Sequence, residues 1–240
     1  MQAIILAAGA GKRLGKITNN NPKCMLKLGK SSILEYQLES LQSLGIEDVT
    51  FILGYKKEIL IDFLDKPKFN FFNKTYIVNN DYLSTNTIYS LWLARKQMLS
   101  DFLYFNADVL ADKQIVKELV ESKHENALAV KKDRCAQEEV KVILDNDVII
   151  EIGKKLNIDK CAGEFIGIAK FSSKSNQLFI KCLEKYINNN RKNLFFEAAV
   201  NDLLSMTKIH AVDITKHICI EIDFPEDYET ALKIVDKLNR

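Results

Sequence analysis

Proline and glycine are scarce in this chain, with three Pro and nine Gly among 240 residues. That excludes collagen-like and Pro/Gly-rich low-complexity chains. No uninterrupted apolar run approaches the roughly 18–20 residues that cross a bilayer. Between Met1 and Gly15 the positive charges follow the apolar run, the reverse of a secretory leader. A cytoplasmic protein with no membrane partner is expected. The five cysteines (Cys24, Cys135, Cys161, Cys182 and Cys219) are odd in number and scattered, and no C-x-x-C occurs. This argues against a disulfide framework or a structural zinc site, and leaves the cysteines as buried apolar groups. Nor do His124, His210 and His217 show metal-ligand spacing. Neither charge sign dominates: 34 Lys+Arg face 32 Asp+Glu, a net +2. A general polyanion binder needs a clustered basic excess, so nucleic acid is not an expected partner.

What is there is ordinary globular material, 47% hydrophobic and 28% charged. Residues 1–240 read as one domain, with no linker of substance and no internal repeat. Strand and helix patterns alternate. Gln2–Ala8 is a continuous apolar run that suits a buried parallel strand. Ile33, Leu34, Leu38, Leu41 and Leu44 form a helical stripe within 32–44, stopped by Gly45. Strands follow at 48–53, 75–79, 101–106 and 127–131. The helices between them are at 56–64, 87–99 and 113–122. Two alternating segments, 140–144 and 148–152, flank Asp145-Asn146-Asp147, a hairpin signature. A strand at 162–171, helices at 174–188 and 197–206, strands at 210–214 and 217–222, and a helix at 225–238 complete the chain. The order implies a Rossmann-like α/β fold: a mostly parallel mixed sheet flanked by helices, with a small antiparallel insertion.

The strongest local signal is Leu6-Ala7-Ala8-Gly9-Ala10-Gly11-Lys12-Arg13-Leu14. A buried strand runs into small residues and then two basic ones. Small residues let backbone N–H groups approach a phosphate closely, and the basic pair adds charge. It is not a Walker A loop, because Gly11-Lys12 is followed by Arg and position 6 is Leu. Nor is it a dinucleotide fingerprint, because Leu14 stands where the third Gly belongs.

Joined to Pro22-Lys23-Cys24-Met25-Leu26 and the helix start at Ile33-Leu34-Glu35-Tyr36, this loop resembles the signature of the sugar-nucleotide and phosphocholine-type nucleotidyltransferase superfamily. Asn79-Asn80-Asp81-Tyr82 with Asn86-Thr87-Ile88-Tyr89-Ser90-Leu91 resembles the phosphocholine cytidylyltransferases of bacterial surface-sugar pathways. Tyr104–Asp108, Ala162–Gly167 and Glu221–Tyr228 continue the likeness in order. Three positions depart from the pattern: Lys12 for Ser or Thr, Asn106 for Gly or Asp, and Phe224 for Thr, Ser or Asp. The likeness extends over nearly the whole length, so the extra carboxyl-terminal domain of many sugar-specific relatives is not expected.

The resemblance implies an enzyme that joins CTP to a small phosphorylated or phosphonate acceptor and releases pyrophosphate. Phosphocholine, phosphoethanolamine, aminoethylphosphonate and phosphoglutamine are the acceptor types. The product would be an activated headgroup for capsule, lipopolysaccharide or teichoic acid decoration. A sugar-1-phosphate nucleotidyltransferase is the alternative, and a non-catalytic nucleotide-sensing domain the rival from another class. Arg13, Lys23, Asp108 and Asp223 are the implied catalytic residues, with Asp108 and Asp223 as Mg²⁺ ligands. Two anions must meet in this chemistry, so charge neutralisation and alignment are the main demands. Leu6, Ala8, Gly9, Gly11, Lys12 and Arg13 would meet the nucleotide. Asn80, Thr85 and Asn86 are placed for its base and ribose. Tyr89, Glu164, Phe196 and Glu197 are implied for the acceptor, since aromatic and acidic groups suit a cationic amine. Tyr82 and Trp92 are further aromatics in reach. The chain is expected to act as a monomer or homodimer.

Overall fold

The computed structural model describes residues 1–18 and 20–238. Its strands are β1 (Gln2–Ala7), β2 (Lys27–Leu28), β3 (Ser31–Ser32), β4 (Asp48–Leu53), β5 (Asn73–Val78), β6 (Phe102–Asn106), β7 (Val109–Ala111), β8 (Ala127–Lys131), β9 (Lys141–Asp145), β10 (Val148–Gly153), β11 (Gly163–Phe171), β12 (His210–Asp213) and β13 (Cys219–Glu221). Its α-helices are α1 (Ile33–Ser43), α2 (Lys57–Leu64), α3 (Thr87–Leu93), α4 (Lys113–Glu121), α5 (Ser173–Asn188), α6 (Glu197–Leu204) and α7 (Pro225–Leu238). Nine strands form the main sheet in the order β5-β4-β1-β6-β11-β8-β12-β10-β9. Two short ribbons, β13-β7 and β2-β3, lie beside it.

The sheet is parallel from β5 to β6, as the strand–helix alternation predicts. Beyond β6 it is mixed: β11 runs antiparallel to both its neighbours, and β12 returns parallel to β8. The expected antiparallel element is the hairpin β9-β10, which continues the sheet edge through β12 and β11.

Alternation along the central strands sends side chains to two helical layers. Ala3, Ile5, Leu103 and Phe105 pack with Leu38 of α1, Leu60 of α2 and Ile115 of α4. Ile4, Phe102 and Tyr104 face the other way, toward Leu91 of α3, Phe179 of α5 and Val200 of α6. Both layers are closed, so burial of the β1 run secures the strand end from which the small-residue loop over 8–13 departs. Helix α1 begins with a capping box: Ser32 Oγ accepts from Glu35 N–H at 3.3 Å, and Glu35 accepts from Ser32 N–H at 2.6 Å. The helix expected over 87–99 is shorter; α3 ends at Leu93 and tightens into a 3₁₀ turn over Ala94–Gln97.

The cysteine expectation needs correction. Cys135 and Cys161 form a disulfide, while Cys24 and Cys182 are buried thiols and Cys219 is half-buried. Glu164 near the start of β11 pairs antiparallel with Lys131 at the end of β8, so the segment leaving β8 runs beside the segment entering β11. A sequence separation of 26 residues hid that proximity. Among the described residues no helix is long and apolar enough to cross a membrane.

Candidate active site

The carboxyl ends of β1 and β6 open onto a cavity of about 430 Å³. Open α/β sheets bind ligands at this edge. Leu6, Ala8, Gly9, Gly11, Lys12 and Arg13 all line it. Gly11 has φ +57°, and a Cβ there would lie 3.1 Å from the Lys23 Cβ. Glycine is favoured on both counts: the left-handed backbone, and the close approach of the loop to Lys23.

Three carboxylates meet on the cavity floor. Asp108, Glu221 and Asp223 each offer an oxygen, all within 4.8 Å of one another. Asp108 lies between β6 and β7, and its loop is bracketed by Gln37 of α1. The buried Gln37 amide donates to the carbonyls of Asn106 and Val109, both at 2.9 Å. Glu221 ends β13 and pairs with Val109 of β7, so the ribbon carries it to Asp108. Asp223 follows two residues later. The Asp227 carboxylate accepts from the Asp223 and Phe224 N–H groups at 2.9 and 2.7 Å, which fixes that turn.

Lys23 lies among these carboxylates. Its Nζ is 2.8 Å from Asp108 Oδ2 and 2.5 Å from Asp223 Oδ1, and the side chain is 11% exposed. Burial alone would lower its pKa, but Asp108 and Asp223 more than offset that and raise it. Arg13 pairs with Asp223 Oδ2 at 2.8 Å and lies over the Phe224 ring at 4.9 Å. The departure at Phe224 therefore has a use: its ring steadies the arginine. Burial, then the charges of Asp108 and Asp223, push the Glu221 carboxyl up to about 8.

The cluster suits a divalent cation. Asp108 Oδ1 is buried with no hydrogen-bond partner, and the donors are all hard carboxylate oxygens, the kind Mg²⁺ takes. Glu221 was not among the expected site residues. The signal was present, because Glu221 and Asp223 are two apart in an extended stretch and so share a face.

The other end of the cavity is made by Phe195, Phe196, Glu197, Tyr104, Val140 and Lys154. Phe196 stacks on Tyr104 with centroids 4.2 Å apart. Glu197 starts α6 and is buried; burial, opposed by a backbone hydrogen bond and then by Lys154, pushes its carboxyl up to about 7. Its Oε2 has no hydrogen-bond partner. Lys154, just past β10, carried no local signal in the sequence. Its ammonium lies 5.0 Å from the Phe195 ring centroid.

Thr85 and Asn86 also line the cavity, and Asn86 caps α3 by accepting from Thr87 N–H at 2.8 Å. Three expected residues do not line it. Asn80 is exposed in the turn after β5, and its neighbour Asn79 takes the place, buried and donating to Thr85 and Ser90. Tyr89 stacks on Trp92, with Lys192 over its ring at 4.9 Å. Glu164 lies on β11 opposite Lys131 and Lys141, where burial and then Glu139 push its carboxyl up to about 7. Strand register, not visible from spacing, sends Glu164 away from the cavity.

Glu197 gives a pH-dependent expectation. A carboxyl raised from 4.5 to about 7 in the folded state imposes no penalty below about pH 4.5 and its full penalty above about pH 7. The shift corresponds to about 3 kcal/mol. Glu197→Gln should therefore gain stability over wild type at pH 8 relative to pH 5. Urea denaturation at the two pH values measures that difference, and equal differences would refute the assignment.

A small-residue loop at a strand end, a paired lysine and arginine, and a three-carboxylate cluster in one cavity define a nucleotide-binding transferase of the α/β class. The model of the Nucleotidyl transferase family matches residues 2–151, and the chain belongs to that family. It is 30% identical to CTP:phosphoglutamine cytidylyltransferase of Campylobacter jejuni, covering 97% of this chain and 100% of that one. It is 26% identical to choline-phosphate cytidylyltransferase of Streptococcus pneumoniae, covering all of both chains. Its fold superimposes on the solved CTP:phosphocholine cytidylyltransferase of Streptococcus pneumoniae with a TM-score of 0.82, at 22% identity and 98% coverage of each chain.

Proposed function

We propose that this nucleotidyltransferase is a cytidylyltransferase that couples CTP to a small phosphorylated or phosphonate acceptor bearing an amine or amide. The observation that carries this reading is the continuity of one cavity. It runs from the phosphate loop, over the carboxylate cluster, to the Phe195-Phe196-Glu197 end. The similarity to two cytidylyltransferases over nearly the whole chain supports the choice of nucleotide.

In the proposed reaction an acceptor phosphate oxygen attacks the α-phosphorus of CTP, and the bond to the β-phosphate oxygen breaks. Pyrophosphate leaves with that electron pair. Backbone groups of Ala8, Gly9 and Gly11 hold the triphosphate, and Lys12 and Arg13 balance its charge. Lys23, aimed into the centre of the site, neutralises the reacting phosphates. Asp108, Glu221 and Asp223 would hold Mg²⁺. When bound, such an ion polarises phosphoryl oxygens and offsets their charge. Asn79, Thr85 and Asn86 are placed for base and ribose, and an amide offers a pyrimidine both a donor and an acceptor. At the acceptor end the ionised Glu197 attracts an ammonium group, with the faces of Phe195 and Phe196 beside it. Glu164 and Tyr89 have no part in this reading.

Pyrophosphate release, assayed across CTP, UTP, ATP, GTP and dTTP with a panel of phosphorylated acceptors, tests it. Turnover should require CTP and an amine- or amide-bearing phosphate or phosphonate. Absence of turnover with every CTP pair would overturn the proposal. Turnover confined to hexose-1-phosphates would establish the sugar-nucleotide alternative instead.

A further inference from the structure

The three histidines of the chain are not all bystanders. His124, three residues past α4, and His210, first in β12, stack ring on ring with centroids 3.8 Å apart and planes 16° apart. Asp147, in the turn of the β9-β10 hairpin, reaches both. Its Oδ2 is 3.2 Å from His210 Nδ1 and 3.6 Å from His124 Nε2. One atom from each of the three residues lies within 4.8 Å of the others.

Backbone bonds hold these residues in place independently of their side chains. His210 N–H donates to the Asn126 carbonyl at 3.0 Å, and Ala211 N–H to the Asp147 carbonyl at 2.8 Å. The hairpin turn is thereby fastened to β12. His124 N–H donates to Ser122 Oγ at 3.2 Å. The imidazoles are 18% exposed and the carboxylate 52%, so solvent reaches the cluster from the Asp147 side.

We propose that His124, Asp147 and His210 form a binding site for a divalent transition-metal ion of the Zn²⁺ type, separate from the active site. Ligands about 2.0–2.1 Å from a tetrahedral Zn²⁺ stand about 3.3 Å apart, close to the two separations from Asp147. Two imidazole nitrogens and one carboxylate select Zn²⁺, Co²⁺ or Ni²⁺ over Mg²⁺ or Ca²⁺. Water completes the shell from the exposed side. The neighbouring charges oppose cation binding in part, because Lys123 and Lys170 act on His124.

The site lies at the opposite edge of the sheet from the reaction cavity. β12 is parallel to β8, and both share the direction of β6 because β11 is antiparallel to β6 and β8. His210 is at the start of its strand, whereas Asp108 lies just past the end of β6. A bound ion would therefore clamp the α4-β8 connection, the hairpin turn and β12 without touching the nucleotide.

The test uses the untagged full chain, stripped with a chelator and kept in excess Mg²⁺ to occupy the active-site carboxylates. Co²⁺ is titrated and followed by visible absorption, and Zn²⁺ is then added in competition. One equivalent of Co²⁺ should bind with nitrogen ligation and be displaced by Zn²⁺. His124→Ala and His210→Gln should each weaken binding about tenfold or more. Asp147→Asn, in an exposed turn, gives a third variant in case β12 does not tolerate the change at His210. His217 pairs instead with Glu118 at 2.9 Å, so His217→Ala should leave binding unchanged. Absence of stoichiometric Co²⁺ binding in excess Mg²⁺ would overturn the proposal, as would unchanged affinity in both His124→Ala and Asp147→Asn. None of these variants should alter pyrophosphate release, so the outcome is independent of the proposed reaction.

Discussion

Asp108→Ala and Asp223→Ala should each lower kcat for pyrophosphate release by at least about 10²–10³, the cost of removing one preorganised electrostatic group. Both carboxylates face the same small volume and share the Lys23 ammonium, at 2.8 and 2.5 Å. Asp108 should be the more severe change, because its second oxygen is buried and unpartnered while both Asp223 oxygens already have cationic partners. Glu221→Gln, which keeps shape and removes charge, should fall on the same side with a smaller loss. Rates at saturating CTP and Mg²⁺, together with far-UV circular dichroism to establish folding, decide the matter. A folded Asp108→Ala protein that retains near-wild-type rate would remove the carboxylate cluster from the mechanism.

Much of this arrangement was legible in the sequence because it depends on local chemistry. The apolar run ending in Gly9 and Gly11 marks a strand feeding a small-residue loop, and both the strand and the lining of the cavity follow. Asp108 and Asp223 lie 115 residues apart in the chain, yet the resemblance pairs them and the β7-β13 ribbon brings them together. What was not legible depends on register and on long-range convergence. Glu164 is an acid at a motif position, but its place on β11 between β8 and β9 turns it from the cavity. Asn80 and Asn79 are chemically identical, and only the end of β5 decides which one is buried. The Cys135–Cys161 bond and the His124–Asp147–His210 cluster join segments that no spacing links.

Lys23→Met should separate the two tasks of the lysine. In the structure its ammonium holds the position a divalent cation would share, between Asp108 and Asp223. Loss of that charge at the reacting phosphates should lower kcat by about 10²–10³. Without nucleotide the direction reverses. The ammonium and a divalent cation compete for the same oxygens, so the variant should bind Mg²⁺ more tightly than wild type. Metal-free stability should fall, because removing one partner of a largely buried ion pair strands the other. The fall should lie toward the lower end of the ~3–5 kcal/mol range known for such losses, since the carboxylates remain 25% and 19% exposed and Arg13 still neutralises Asp223. Mg²⁺ should then raise the melting temperature of Lys23→Met by more than it raises that of wild type. Thermal unfolding with and without Mg²⁺ measures both effects. An equal or smaller Mg²⁺ shift in the variant would mean that the lysine and the metal occupy different places. Lys23 would then act on the acceptor or the leaving group alone, and its bridge across the carboxylates would have no bearing on metal binding.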